Sequence, residues 1–376
     1  MPRSRAQRRR RRRYYRIQRR TRPGAAPGTV AVDPGAHATV VDLFGYGPDG
    51  FVEEKVVTPE RVVRCLGEWP VTWVNVEGLG DAATLHKLAE IFGLHPLVRE
   101  DVVNVHQRAK AEQYGDQLFM VTRMVTMNEE IESEQLAIVL GTNFVATFQE
   151  IPGDVLDPVR ERIRGAGQIR RAGPDYLAYA LIDAVVDHYF PVLERYGERI
   201  EALEEEVIES TDSSVLARIH QSKRELLALR RAIWPQRDAL AELVREPFER
   251  ITPATRVYLR DCYDHAVQVI DLLETYRETT SSLLEIHLSM LSNRMNEVMK
   301  VLAVFSAVFS PLMVITGIYG MNFDPDSSPW NMPELRWVYG YPIVLAVMAV
   351  VAGLTLGYAF RRGWIGGRRQ RGRDQA

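Results

Sequence analysis

Two uninterrupted apolar runs near the C-terminal end constrain this chain more than any other feature. They are VLAVFSAVFSPLMVITGI (301–318) and YPIVLAVMAVVAGLTLGYAF (341–360). About 20 helical residues at about 1.5 Å each cover the ~30 Å hydrocarbon core of a bilayer, so each run is long enough to cross one. The stretch between them, 319–340, is too short for a domain. Its one basic residue is Arg336, against the acids Asp324, Asp326 and Glu334. Arg294 and Lys300 precede the first run, and Arg361, Arg362, Arg368, Arg369, Arg371 and Arg373 flank or follow the second. Positive charge gathers on cytoplasmic flanks, so both termini are expected in the cytoplasm and the short loop outside. The expectation is a multi-pass protein of the cell (inner) membrane, with Trp330, Trp337, Tyr339 and Tyr341 at the outer interface.

Charge is distributed unevenly. The formal net charge is only −2, yet residues 1–22 hold 12 Arg and no acid, and 361–376 hold 6 Arg and one acid. Without these 18 arginines and Asp374, 29 basic and 48 acidic side chains remain, a net of −19 for the middle. An acidic body suits a cationic partner and argues against a nucleic-acid groove. The first 34 residues read as a disordered Arg-rich arm, and no apolar stretch follows the arginines as a signal peptide would require. Cys65 and Cys262 form no CxxC or Cys/His cluster, so neither a disulfide framework nor a zinc site is indicated.

Between arm and membrane the pattern predicts an α+β cytosolic domain followed by a long helical stalk. TVVDLFGY, FVEEKVV, VTWVNVEG, QLFMVTRMVTM and QLAIVLGTNFVATFQE are rich in β-branched and aromatic residues and read as strands. DAATLHKLAEIFGL (81–94) reads as a helix capped by Asp81. From Asp175 the period turns helical. One long amphipathic helix is expected through 175–209, with a partner returning after STDSS. A third begins near Pro253 with no breaker before Pro311, and if continuous to Tyr319 it spans on the order of 100 Å. The resulting organisation is an α/β domain over 35–174 and antiparallel helices over 175–252. A stalk and first membrane helix follow over 253–320, then an outer loop over 321–339, a second membrane helix over 340–361 and a basic tail over 362–376.

Read at a 3.5-residue spacing, the membrane-entering helix presents Asn296, Met299, Ala303, Ser306, Ser310, Met313, Gly317 and Gly320 on one seam. The seam is small, polar or flexible, whereas Val301, Val304, Phe305, Val308, Phe309, Leu312 and Ile315 lie on the other faces. Such segregation fits a narrow lumen; it equally fits close helix–helix packing. Two helices per chain enclose no pathway alone, so a lumen requires a symmetric ring of copies. No Walker loop, GxSxG or HExxH is present, and no enzyme is expected.

YGMNF (319–323), followed by MPELRW (332–337) and a second span, resembles the signature of CorA-type divalent-cation channels, the magnesium and cobalt transporters. REDVVNVHQRAK (99–110), LIDAVVDHYF (181–190), RRAIWPQR (230–237), RDCYDH (260–265) and NRMNEVMKVL (293–302) resemble family segments in the same order. The resemblance implies a funnel-shaped homopentamer in a lipid bilayer, with Mg2+ as substrate and regulatory ligand and Co2+ as a further substrate. It implies a selectivity ring of Gly320, Met321 and Asn322 at the outer mouth, and the physics agrees. Mg2+ holds its water tightly, so a fast pore should recognise the hydrated ion through neutral oxygens such as the Asn322 amide and the Gly320 carbonyl. A carboxylate ring there would bind too tightly for release.

The resemblance also implies a cytosolic metal sensor between protomers, built from Asp101 and Asp261 of adjacent chains, with Glu100, Asp183 and His265 as neighbours. Bound Mg2+ would neutralise facing carboxylates and hold the pore shut, with the gate among Asn296, Met299, Leu302 and Ala303. Ser310 and Met313 stand where relatives carry Met and Thr, which displaces the polar step of the lumen. DPDSSPWN adds acids at the mouth, where Asp324, Asp326 and Glu334 would concentrate cations. Two other readings stand beside uptake. One is zinc export by a related branch, against which the absence of a soft-ligand cluster speaks. The other is a membrane-anchored signalling or scaffold protein, which has no use for a small polar seam ending in GMN.

Overall fold

Alternation of β-branched and aromatic residues produces strands β1 (Val40–Gly47), β2 (Gly50–Glu54) and β3 (Val71–Glu77). Helices α1 (Pro59–Glu68), α2 (Ala82–Ile91) and α3 (Pro96–Val103) are interspersed with or follow them. Then come β4 (Lys110–Tyr114), β5 (Gln117–Met127), β6 (Ile131–Leu140) and β7 (Phe144–Gln149). The computed structural model describes residues 24–365 apart from 25, 27, 29, 30, 34, 129, 130, 211, 325, 327 and 329. The arginines of residues 1–22 and of the tail beyond 365 therefore lie outside the described residues, as does most of the expected arm.

The seven strands form one sheet in the order β2-β1-β3-β7-β6-β5-β4. Only β3 and β7 run parallel, in the register Val74↔Ala146, and every other neighbouring pair is antiparallel. Val62 and Cys65 of α1, Leu85 and Leu88 of α2 and Val98 and Val102 of α3 share one core with Val74, Val76, Val121, Val139 and Ala146. At the end of β3, Gly78 turns the chain at φ +76°. A Cβ there would lie 2.3 Å from the Ala38 carbonyl, so only glycine fits. Asp81 caps α2 as its sequence suggests, its Oδ1 accepting from the N–H groups of Ala83 and Thr84.

After α4 (Asp157–Arg164) the chain becomes helical. The 175–209 segment is two helices, α5 (Pro174–Asp187) and α6 (Tyr189–Glu209), where the period alone suggests one. The cause is Pro191, which has no N–H to offer the Asp187 carbonyl and whose ring crowds it. The ladder breaks at His188. Helix α7 (Ser213–Arg245) returns antiparallel to α6, joined to it by Tyr196 Oη donating to the Ser222 carbonyl (2.8 Å), and by ion pairs Arg199–Glu225 and Arg218–Glu206. On the second face of the sheet, Met120 and Thr122 meet Ile182 of α5 and Gln236, Ala239 and Leu240 of α7. The sheet is therefore sandwiched between helical layers.

Helix α8 (Pro253–Tyr319) has 67 residues, about 100 Å of unbroken helix, and passes through Pro311 without ending. A 3-10 turn (Pro333–Arg336) leads to α9 (Gly340–Arg361). The chain divides into two compact units, one of Met1–Glu206 with Asp212–Leu283, the other of Val207–Thr211 with Leu284–Ala376. Within the second unit α8 and α9 are the two helices long and apolar enough to cross a membrane among the described residues. Val304 and Val308 of α8 and Ala359 of α9 are buried in their own small cluster, with Leu312 and Ala352 against it. These residues are one turn apart, so they form a stripe along which α8 meets α9.

Candidate functional site

In the second unit, Asn296, Met299, Leu302, Ala303, Ser306, Ser310, Met313 and Gly317 are all exposed along α8. The stripe that packs on α9 is a different one, that of Val304, Val308 and Leu312. Within one chain the small polar seam is thus left uncovered, while a bulky branched stripe takes the intrachain contact.

Helix α8 ends where Gly320 donates its N–H to the Thr316 carbonyl (2.8 Å) and Met321 donates to that of Ile318 (3.2 Å). A Cβ on Gly320 would stand 3.2 Å from the Thr316 oxygen, so the absence of a side chain relieves the crowded last turn. Met321 and Asn322 follow, both exposed. The acidic residues of the connecting loop are partly engaged within it. Glu334 accepts from Tyr319 Oη (3.2 Å), Asp326 pairs with Arg336, and the Asp324 carbonyl accepts from Asn331 Nδ2 (3.1 Å). Tyr319 and Glu334 together tie the C-terminal end of α8 to the 3-10 turn.

In the first unit the candidate metal ligands fall into two groups. Asp183 on α5 is buried (6% exposed), with Cys262 Sγ 3.5 Å from its Oδ1 and Arg162 3.3 Å from its Oδ2. Asp187, one turn later, lies 3.0 Å from His265 Nδ1, and His265 Nε2 is 4.0 Å from Asp261 Oδ2 on the same helix. Ligand atoms of Asp183, Asp187 and His265 lie within 4.8 Å of one another, close enough to share one cation. Burial and the Asp183 charge push the Asp187 carboxyl up, against the pull of His265. Burial and Asp183 likewise raise the Cys262 thiol, which stays protonated and donates. Asp261 is about two-thirds exposed (66%).

Asp101, near the end of α3, belongs to the other group. Its Oδ1 accepts from Gln107 Nε2 (2.7 Å) and its Oδ2 from Lys110 Nζ (2.8 Å). Burial works against the Lys110 charge, but the hydrogen bonds to Asp101 and Glu112 outweigh it and hold its pKa above the ordinary lysine value. Glu100 accepts from the Gly28 N–H (2.8 Å). One chain therefore gathers Asp183, His265 and Asp261 around α5 and α8, and holds Asp101 apart beside Lys110.

The sequence reading passes over Asp187. The signal is present in LIDAVVDHYF, where two aspartates four residues apart share a helix face. Only the fold supplies His265 opposite them, from a helix 78 residues away in sequence.

A family model described as CorA-like Mg2+ transporter protein matches residues 70–362, from β3 through both apolar helices. The chain is 44% identical over 348 residues to the cobalt/magnesium transport protein CorA of Thermotoga maritima, covering 91% of this chain and 97% of that one. Its fold resembles that of the CorA magnesium transporter from Methanocaldococcus jannaschii, with a TM-score of 0.74 at 22% identity over 87% of this chain and 99% of that one. The full-length CmaX protein is similar in fold too, with a TM-score of 0.68 at 19% identity over 88% of this chain and 99% of the other. A transporter family thus accounts for an acidic α/β body, an unbroken long helix and two membrane-length helices joined by GMN: the chain belongs to the CorA-like Mg2+ transporters.

Proposed function

We propose that this chain forms a homopentameric channel that takes up Mg2+, and also Co2+ or Ni2+, passively along the membrane potential. The observation that carries the reading is the end of α8, where Gly320, Met321 and the exposed Asn322 close a membrane-length helix whose small polar seam is uncovered in the single chain. A ring of copies would turn those seams toward a common axis and set the Asn322 amides and Gly320 carbonyls around the outer mouth. Neutral oxygens accept hydrogen bonds from a hydrated divalent ion without holding it as a carboxylate ring would. Asp324, Asp326 and Glu334 would raise the local cation concentration there. Two charges crossing 100 mV gain about 4.6 kcal/mol, so no fuel is required.

Regulation in this reading comes from cytosolic Mg2+ between protomers, with Asp101 of one chain facing Asp261 of the next. The high exposure of Asp261 supports it, as a residue turned outward is available to a neighbour. The Asp183–Asp187–His265 group lies beside it and supplies oxygen acceptors for coordinated water, while its imidazole suits Co2+ or Ni2+ better than Mg2+. With the ion bound, the facing carboxylates are neutralised and the apolar rings near Met299 and Leu302 close by dewetting; on depletion the acids repel and the gate loosens. The deciding experiment is flux into proteoliposomes with Mg2+, Co2+, Ni2+ and Zn2+ compared, with Asn322→Ala alongside. Uptake of Mg2+ that falls at least about tenfold in the variant is expected. Undiminished flux without the amides, or outward Zn2+ movement against its gradient, would defeat the proposal.

A further inference from the structure

The surroundings of Asp101 contain more than a carboxylate awaiting a cation. Gln107, which donates to its Oδ1, is fixed at both backbone ends: its N–H donates to Gln135 Oε1 (3.0 Å) and its carbonyl accepts from Arg123 (2.7 Å). Gln135 in turn donates to the Asp101 backbone carbonyl (3.0 Å). The aspartate is thus held in place from β5 and β6, and its carboxylate is only 15% exposed. Its second oxygen is already taken by a positive charge of the same chain, Lys110 Nζ at 2.8 Å.

Lys110 also has somewhere else to go. Its ammonium sits 2.5 Å from Glu112 Oε2, an oxygen that accepts from Tyr114 Oη as well (2.8 Å), and it lies 5.6 Å from the centre of the Phe119 ring. A lysine ammonium is a compact charge on a flexible stem, able to slide between neighbouring acids without uncovering either its own charge or its stem. A divalent ion arriving at Asp101 meets that charge at close range and must break its bond to Asp101, leaving the lysine to Glu112 alone. The repulsion weakens the ion's hold, and Glu112 limits the weakening.

We infer that Lys110 is a resident monovalent competitor at Asp101 and sets the Mg2+ concentration at which that site fills. The inference rests on the reading of Asp101 as a regulatory ligand. The ligand it concerns is a hydrated divalent cation, and Lys110 does not touch it; the lysine acts through Asp101.

The test is the internal Mg2+ concentration that half-closes the intact channel in proteoliposomes, with Mg2+ binding to the purified full-length protein measured by calorimetry. Lys110→Met keeps the stem and removes the charge, and is expected to lower the half-closing concentration about three- to tenfold. Lys110→Arg keeps the charge and is expected to stay near the parent. Glu112→Gln removes the second seat, confines the lysine to Asp101 and is expected to shift the value upward. A packing defect would move Lys110→Met and Glu112→Gln in the same direction, and that result, or no shift in Lys110→Met, overturns the inference. Asp101→Asn separates the role of the aspartate from that of the lysine. If it leaves half-closure unchanged, Asp101 is no regulatory ligand and the underlying reading falls with the inference; if it raises the value while Lys110→Met does not lower it, only the lysine's role is lost.

Discussion

Glu134 on β6 is held against the backbone just after β7, accepting from the Ile151 N–H at 2.6 Å, and burial pushes its pKa up to about 7. A carboxyl raised in the folded state stabilises the fold while it is protonated. Its contribution is complete below the unfolded value near 4.5 and disappears as pH rises through about 7. Glu134→Gln keeps an acceptor for Ile151 and removes the titration. The variant should gain roughly 1–3 kcal/mol over the parent at pH 8 and little at pH 4, seen as a melting difference that grows across that range. Burial raises the Asp187 carboxyl as well, with His265 3.0 Å away pulling against it. Neither perturbation is visible in sequence. Glu134 reads as one of several acids in EEIESEQ, and only the fold brings the Ile151 backbone, just after β7, against it.

Elements were legible wherever local chemistry and burial agreed. Asp81 caps α2 because a short acceptor before an apolar period serves the free N–H groups of the first turn. Asp81→Ala should cost about 1 kcal/mol, measured as a fall in urea midpoint at unchanged slope. The limits of α8 follow from Pro253 at its start and Gly320 beyond its end. Other features were hidden. The edge strand β4, KAEQY, has a single fully buried residue, Ala111, and little apolar alternation to mark it. The break between α5 and α6 depends on Pro191 winning at His188, whereas Pro235 and Pro311 sit inside continuous helices. Prolines thus break one helical run and sit inside two others, so a proline alone does not mark a helix end. The cluster around Asp183 needed α5 and α8 side by side, which no local pattern encodes.

At the scale of the whole chain, family membership rests on the match from residue 70 to 362, whereas the ring of copies and its conduction rest on the proposals above. Asp261 stands on the helix that ends at Tyr319, just before the GMN sequence, with no turn or irregular residue anywhere between Pro253 and Tyr319. Thr275, Thr279, Thr280, Ser281 and Ser282 lie along this path, and each returns its hydroxyl to the carbonyl four residues back, so even the run richest in competing side chains keeps the ladder intact. Three glycines inserted between Ser281 and Ser282 should therefore leave Mg2+ flux in place but abolish its dependence on internal Mg2+, measured in the same vesicles. The helix is thus continuous over 67 residues, save for the one ladder bond that Pro311 cannot donate.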